Sequence, residues 1–135
     1  MTAKEYLSQA FHIDKRINSK LDQIQSLRDL LTKTGPSLSD MPKNPNKGAS
    51  RTEDYILKIV DIESEIDKDI DRLVSLKAEI MGVIKAVTDA DCQLLLEERY
   101  LCFNTWEEIA SDMNFSVRNI HVLHSKALSM VKVPK

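Results

Sequence analysis

Apolar residues recur at alternating steps of four and three residues over two long stretches of the chain. In the first stretch, residues 3–32, one position of the series is occupied by a charged residue, Lys20. This spacing places an apolar stripe along an α-helix, and its persistence over several heptads is typical of helices that pack side by side. The stripe consists of Tyr6, Ala10, Ile13, Ile17, Ile24, Leu27 and Leu31.

A second stripe follows in residues 52–87, where a continuous helix would be about 54 Å long at 1.5 Å per residue. Glu63 and Lys77 occupy two of its positions, and we interpret them, with Lys20, as residues that set the register or lie at the solvent edge. Further apolar residues beside the stripe widen it, so that it can contact more than one helix. The stripe consists of Ile56, Ile59, Ile66, Ile70, Leu73, Ile80, Ile84 and Val87.

Residues 33–50 separate these stretches and hold three of the four prolines and two of the three glycines. We therefore predict a flexible loop there and no helix. Such a loop lets residues 1–87 fold as a long antiparallel helical hairpin that resembles a coiled coil. Since two helices alone bury little surface, we favour a homodimer through these helices, a four-helix bundle. The alternative is a bundle within one chain, completed by the C-terminal domain.

Residues 88–135 form a predicted C-terminal domain of three short helices. The expected N-terminal caps are Thr88, Asn104 or Thr105, and Ser116, all residue types that accept hydrogen bonds from exposed backbone N–H groups. A turn at Asn114 and Phe115 joins the last two helices. Few glycines and only 5% aromatic residues fit a chain that is helical throughout. The predicted fold class is all-α.

Two short helices joined by a tight turn predict a helix-turn-helix when the outer side of the second helix is polar. Here the predicted second helix, residues 117–131, has a buried stripe of Ile120, Leu123, Ala127 and Val131. The opposite face carries Arg118, His121, Val122 and Ser125, with Asn119 to one side. Such side chains can donate hydrogen bonds to, and accept them from, base edges and phosphates.

The sequence TWEEIASDMNFSVRNIHVLHSKALSMV, residues 105–131, resembles region 4 of bacterial sigma factors, the module that reads the upstream promoter element. The match is ungapped, and it extends back to LLEERYL at residues 95–101. Small phage transcription regulators of the ArpU and RinA type carry the same pattern, and the helical N-terminal part makes this chain more similar to them. The matching residues are Thr105, Glu107, Glu108, Ile109, Ser116, Ile120, Leu123, Lys126, Ala127 and Leu128.

The resemblance implies which residues read DNA, but the base-reading positions differ from the sigma pattern. They fall on Val117, Arg118, His121 and Val122, where sigma factors have Arg, Glu, Arg and Gln. The promoter element of ordinary sigma factors is therefore not the expected target, although valines can contact thymine methyl groups. The expected DNA-binding set is Val117, Arg118, Asn119, His121, Val122, Ser125 and Lys126.

The helix-turn-helix pattern predicts a transcriptional regulator that binds double-stranded DNA as a dimer through the helix 117–131, and the resemblance implies that it is phage- or prophage-encoded. The charge argues for weak binding, because residues 88–135 hold five basic and seven acidic residues and phosphate neutralisation supplies most DNA affinity. The alternative is a protein-interaction module that binds RNA polymerase or a phage protein without binding DNA on its own.

Enzymatic function is not expected, because the sequence has no glycine-rich phosphate loop, nucleophile elbow or HExxH motif. No cofactor is expected either. His121 and His124 have a spacing that can hold a metal, but no nearby Cys or carboxylate completes a site in the sequence, so no metal site is predicted. Trp106 and Cys102 are expected to pack in the core.

The location of the protein is predicted from its cysteines and its apolar segments. Cys92 and Cys102 are placed on one predicted helix, about 15 Å apart and beyond disulfide reach. The N-terminal residues lack a signal-peptide pattern, and no apolar run reaches the length of a membrane span. We therefore expect a reduced, cytoplasmic protein without a membrane partner.

Overall fold

The computed structural model describes the backbone of residues 1–38 and 45–134 and the side chains of residues 1–33 and 51–134. The regular elements in this part of the chain are five helices and no strand, so the all-α prediction is confirmed. They are α1 (Ala3–Leu38), α2 (Pro45–Lys85), α3 (Ala90–Tyr100), α4 (Trp106–Met113) and α5 (Val117–Met130). None of these described helices combines the length and the apolar character needed to cross a membrane.

The helices extend into the segment predicted as a loop. Because α1 continues to Leu38 and α2 begins at Pro45, the loop prediction is wrong for residues 33–38 and 45–50. Proline is tolerated as the first residue of a helix, where the N–H that it lacks would have no partner within the helix. Pro36 lies in the last turn of α1, so the helix loses a hydrogen bond only near its end. Residues 39–44 of the predicted loop lie outside the described residues.

The chain divides into two compact units, one of which is Lys15–Asp71. Within it Ile17, Ile24, Ile59 and Ile66 of the predicted stripes are buried, whereas Ile56 and Ile70 of the α2 stripe are exposed. Lys20 does not simply lie at the solvent edge, because it forms an ion pair with a buried carboxylate. Its Nζ lies 2.7 Å from the Oδ2 atom of Asp69. An ion pair removed from water is favourable only with close geometry, which explains why a lysine is tolerated on the stripe.

The other unit comprises Met1–Asp14 and Arg72–Lys135 and contains the largest buried cluster. Its apolar core joins side chains from α1 and α2 to those of α3, α4 and α5. Burying one large aliphatic side chain stabilises a fold by about 1.5–3 kcal/mol. The largest side chains that are fully buried here are Leu7, Ile80, Ile84, Leu95, Leu96, Ile109 and Ile120. The division predicted between residues 87 and 88 stays a prediction.

The connection between α3 and α4 explains one wrong expectation about the core. Helix α3 ends at Tyr100, and Cys102 is exposed in the connection that follows, so its prediction as a core residue is wrong. The neighbouring Phe103 has a positive φ of 60°, which is unusual for a bulky residue. Its ring packs edge-on against Phe11, with 5.7 Å between centroids, and Lys77 Nζ lies 4.7 Å from the ring centroid.

Candidate nucleic-acid interface

Local hydrogen bonds define where α4 and α5 begin and end. Thr105 Oγ1 accepts a hydrogen bond from Glu108 N at 3.2 Å, and Ser116 Oγ accepts one from Asn119 N at 3.1 Å. Asn114 ends α4 in the left-handed conformation, with a φ of 59°, which asparagine adopts more readily than most residues. The predicted caps at Thr105 and Ser116 and the predicted turn are confirmed.

All of the residues predicted to contact DNA lie on the solvent-exposed part of α5. Ile120, His124 and Ala127 are buried at steps of four and three residues, and they attach the other side of the helix to the core. The fold therefore brings the predicted residues together on one helix and leaves them accessible. They are Val117, Arg118, Asn119, His121, Val122, Ser125 and Lys126.

His124 is part of the core and not of the interface. It is 7% exposed, and its Nε2 lies 2.6 Å from the hydroxyl oxygen of Tyr100. Burial, which is the largest cause, lowers the pKa of His124 to about 4 together with the positive charges of Lys4 and Arg99 and the neighbouring His121. Burial also raises the pKa of Tyr100 to about 12. Both side chains are therefore uncharged near neutral pH.

Trp106 packs against the inner side of the interface, as its expected role in packing requires. Its ring centroid lies 4.6 Å from that of His124 and 4.8 Å from that of His121. The guanidinium carbon of Arg99 lies 4.2 Å from the same ring centroid, and Arg99 Nη1 donates a hydrogen bond to the carbonyl oxygen of Asn104. These contacts hold α3, α4 and α5 together beneath the exposed His121.

Lys126 is already paired within the chain. Its Nζ lies 3.4 Å from Asp89 Oδ2, while Asp89 Oδ1 accepts a hydrogen bond from Cys92 N and so caps α3. The predicted cap at Thr88 is therefore wrong by one residue. The bond from Cys92 N, together with Lys126, lowers the pKa of the Asp89 carboxyl. DNA would have to compete with Asp89 for this lysine.

A shallow groove of about 260 Å³ adjoins the same face of α5 and is largely apolar. Val122, at 66% exposed, is the most exposed large apolar side chain of α5. The sequence analysis assigned Phe115 to the turn and to no surface. An apolar residue directly before a capping serine commonly packs against the first turns of the helix, and this was the signal for its position. The groove is lined by Phe115, Asn119, Val122, Leu123 and Lys126.

The sequence did not reveal a pair of carboxyl groups, Glu98 on α3 and Asp112 on α4. Burial raises the pKa of Glu98, and the neighbouring Asp112 carboxyl raises it further through a hydrogen bond and like charge. Glu98 Oε2 is buried and has no hydrogen-bond partner among the described residues. A buried acceptor without a donor is destabilising, so this pair is a weak point between the two helices.

Replacing Asp112 with asparagine is expected to stabilise the protein. The amide removes one negative charge and can donate a hydrogen bond to Glu98, which is worth about 0.5–1.5 kcal/mol. Urea unfolding at pH 7 measures the change, with Glu107→Gln as a control that removes an exposed carboxylate from the same helix. A midpoint for Asp112→Asn no higher than that of the control would contradict this interpretation of the pair.

The chain matches no protein-family model, no curated protein and no solved structure. The resemblance to sigma region 4 therefore rests on the sequence of residues 95–101 and 105–131 alone. No group of three or more His, Cys, Asp or Glu side chains in the described part of the chain is arranged to hold a metal ion.

Proposed function

We propose that this protein is a transcriptional regulator of phage or prophage type that binds double-stranded DNA through α5. The observation that carries the proposal is the row of exposed polar and basic side chains on a helix that is capped by Ser116 and preceded by α4 and a tight turn. In a helix-turn-helix, the second helix lies in the major groove and its N-terminal residues contact base edges. Arg118 and Asn119 lie in the first turn of α5.

Three ion pairs of the Lys15–Asp71 unit support the antiparallel hairpin that accompanies this function. Arg16 pairs with Asp69 at 3.8 Å, Lys20 with Glu65 at 3.5 Å, and Arg28 with Glu63 at 3.4 Å. Residue numbers fall along α2 as they rise along α1, which is expected of helices that run in opposite directions.

Dimerisation through this hairpin is part of the proposal, because a single C-terminal domain has little positive charge for DNA. Two copies present two α5 helices to two half-sites, and the phosphate contacts of both contribute to one binding event.

Arg118→Ala is expected to weaken DNA binding by about 5- to 100-fold, which corresponds to the loss of one good base or phosphate contact. The measurement is a salt-titrated binding assay on DNA fragments from the genomic neighbourhood of the coding sequence. Wild-type affinity is expected to fall steeply with salt. Arg72→Ala is the control, because it removes an exposed arginine from α2 and leaves α5 intact. No binding by a folded protein at low salt would overturn the proposal.

A second candidate function is that of a protein-interaction module, which the groove beside Phe115 and Val122 favours. An exposed apolar groove is a common binding surface for the apolar face of a partner helix. If DNA binding fails, purified bacterial RNA polymerase is the first partner to test by sedimentation. Binding that Val122→Glu abolishes and Arg118→Ala leaves unchanged would favour this function over DNA binding.

A further inference from the structure

The hairpin unit Lys15–Asp71 carries exposed apolar side chains that its own two helices leave uncovered. Ile56 is 47% exposed, Val60 55% and Ile70 42% on α2, and Leu21 is 50% exposed on α1. We refer to these four residues as the Leu21 face. We propose that the Leu21 face binds a second copy of this chain, with α1 of each copy packed against α2 of the other. This deepens the dimer of the proposed function and rests on it.

Spacing places the members of the Leu21 face on one side of the hairpin. Ile56, Val60 and Ile70 are separated by four and ten residues, which keeps them within about one quarter of the circumference of α2. Leu21 lines a groove between the helices of this unit, and Glu63 and Asp67 of α2 line it with Leu21. Both of these acidic residues fall between Val60 and Ile70 on the same side of α2, so the Leu21 face has an acidic centre with apolar residues on either side of it.

Charge decides which helices of the two copies face each other. Residues 15–33 of α1 hold five basic and two acidic residues, whereas residues 51–71 of α2 hold three basic and eight acidic residues. These two stretches therefore carry net charges of +3 and −5. Packing α2 against α2 of the partner would place the two most acidic surfaces together. Packing α1 against α2 brings opposite charges together, and complementary charge fixes such pairings.

A two-fold axis parallel to the helices produces this arrangement. It places each α1 beside its own α2 and opposite the partner's α2, and every adjacent pair of helices is then antiparallel. An axis perpendicular to the helices would instead stack α2 on α2, which the charges disfavour. A two-helix face about 30 Å long and about 20 Å wide removes roughly 1,200 Å² from water over both copies, which reaches the range of stable interfaces.

The mass of the full-length protein without DNA, measured by sedimentation equilibrium from 1 to 100 µM, tests the interface. The wild type is expected to be a dimer. Ile56→Lys is expected to raise the dissociation constant at least tenfold, because it adds a charge opposite the basic α1 of the partner. Leu57→Lys is the matched control: Leu57 is 61% exposed, lies about 100° further around α2, and should leave the mass unchanged. A monomeric wild type, or equal effects of both variants, would overturn the proposal.

Carbodiimide cross-linking of mixed ¹⁴N- and ¹⁵N-labelled protein tests the pairing of the helices. Links between copies are expected to join lysines of α1 to carboxylates of α2. Links between copies that join Lys58 or Lys68 to carboxylates of the partner's α2 would overturn it. Added salt is expected to weaken the dimer, and salt that strengthens it would also count against the pairing. Because no DNA is present, these outcomes are separate from any failure of DNA binding.

Discussion

The protein is expected to unfold in less denaturant at pH 5 than at pH 7, because His124 takes up a proton when the chain unfolds. The folded-state pKa of His124 is lowered from 6.5 to about 4 by burial. Between these two values the unfolded chain binds more protons than the folded chain, so stability decreases as pH falls. The contribution is complete above pH 6.5 and is lost by about pH 4. A shift of this size corresponds to at most about 3 kcal/mol.

Glu98 acts in the opposite direction in the same unit. Its pKa is raised in the folded state, so its contribution to stability is present at low pH and is lost as pH rises through the raised value. Acidification therefore relieves the repulsion between Glu98 and Asp112, which raises the stability of the fold, whereas its effect through His124 lowers that stability.

Two histidine variants separate His124 from the other titrating groups. His124→Gln is expected to lower stability at pH 7, because it disturbs the bond to Tyr100, and to flatten the pH dependence between 6.5 and 4. His12→Gln changes an exposed histidine on α1 and should retain the wild-type slope. Trp106, the only tryptophan, reports unfolding by fluorescence because its ring packs on His124. Parallel pH curves for wild type and His124→Gln would refute the role of this histidine.

The helices and their buried sides could be predicted from sequence because both depend on local spacing. The stripe residues Ile17, Ile24 and Ile66 are buried as the heptad pattern predicts, and the caps Thr105 and Ser116 depend only on residues three positions away. The capping rule failed where two adjacent residues could both cap the same helix. Thr88 and Asp89 are adjacent capping residues, and the structure uses Asp89, which also reaches Lys126.

The inner side of the candidate interface could be predicted less well, because it depends on contacts between distant residues. The spacing of His121 and His124 suggested a pair, yet only His124 follows Ile120 at four residues on the buried stripe. Its partner, Tyr100, is 24 positions away, and no local pattern identifies it. The ends of α1 and α2 near the prolines were predicted wrongly, because the effect of a proline depends on its position in the helix. Proline is unfavourable in the interior of a helix, but it is tolerated in the first turn, and α2 begins with Pro45.

Ile120→Ala is expected to destabilise the protein by about 2–5 kcal/mol, the usual cost of removing a fully buried isoleucine side chain beyond its first carbon. Ile120 is 0% exposed at the start of α5, and it belongs to the cluster that contains Leu95 and Ile109. The truncation leaves a cavity where α5 meets the core. Urea unfolding followed by Trp106 fluorescence measures the loss.

Val122→Ala is the matched control, because it truncates a neighbouring aliphatic side chain that is 66% exposed. Its effect on stability is expected to stay within about 0.5 kcal/mol. The two variants separate the two sides of α5. If α5 reads DNA, Val122→Ala changes affinity or sequence preference while the fold stays intact. Ile120→Ala is then expected to lose binding only under conditions in which the protein unfolds. Equal destabilisation by both substitutions would contradict the orientation of α5 on which the proposed interface depends.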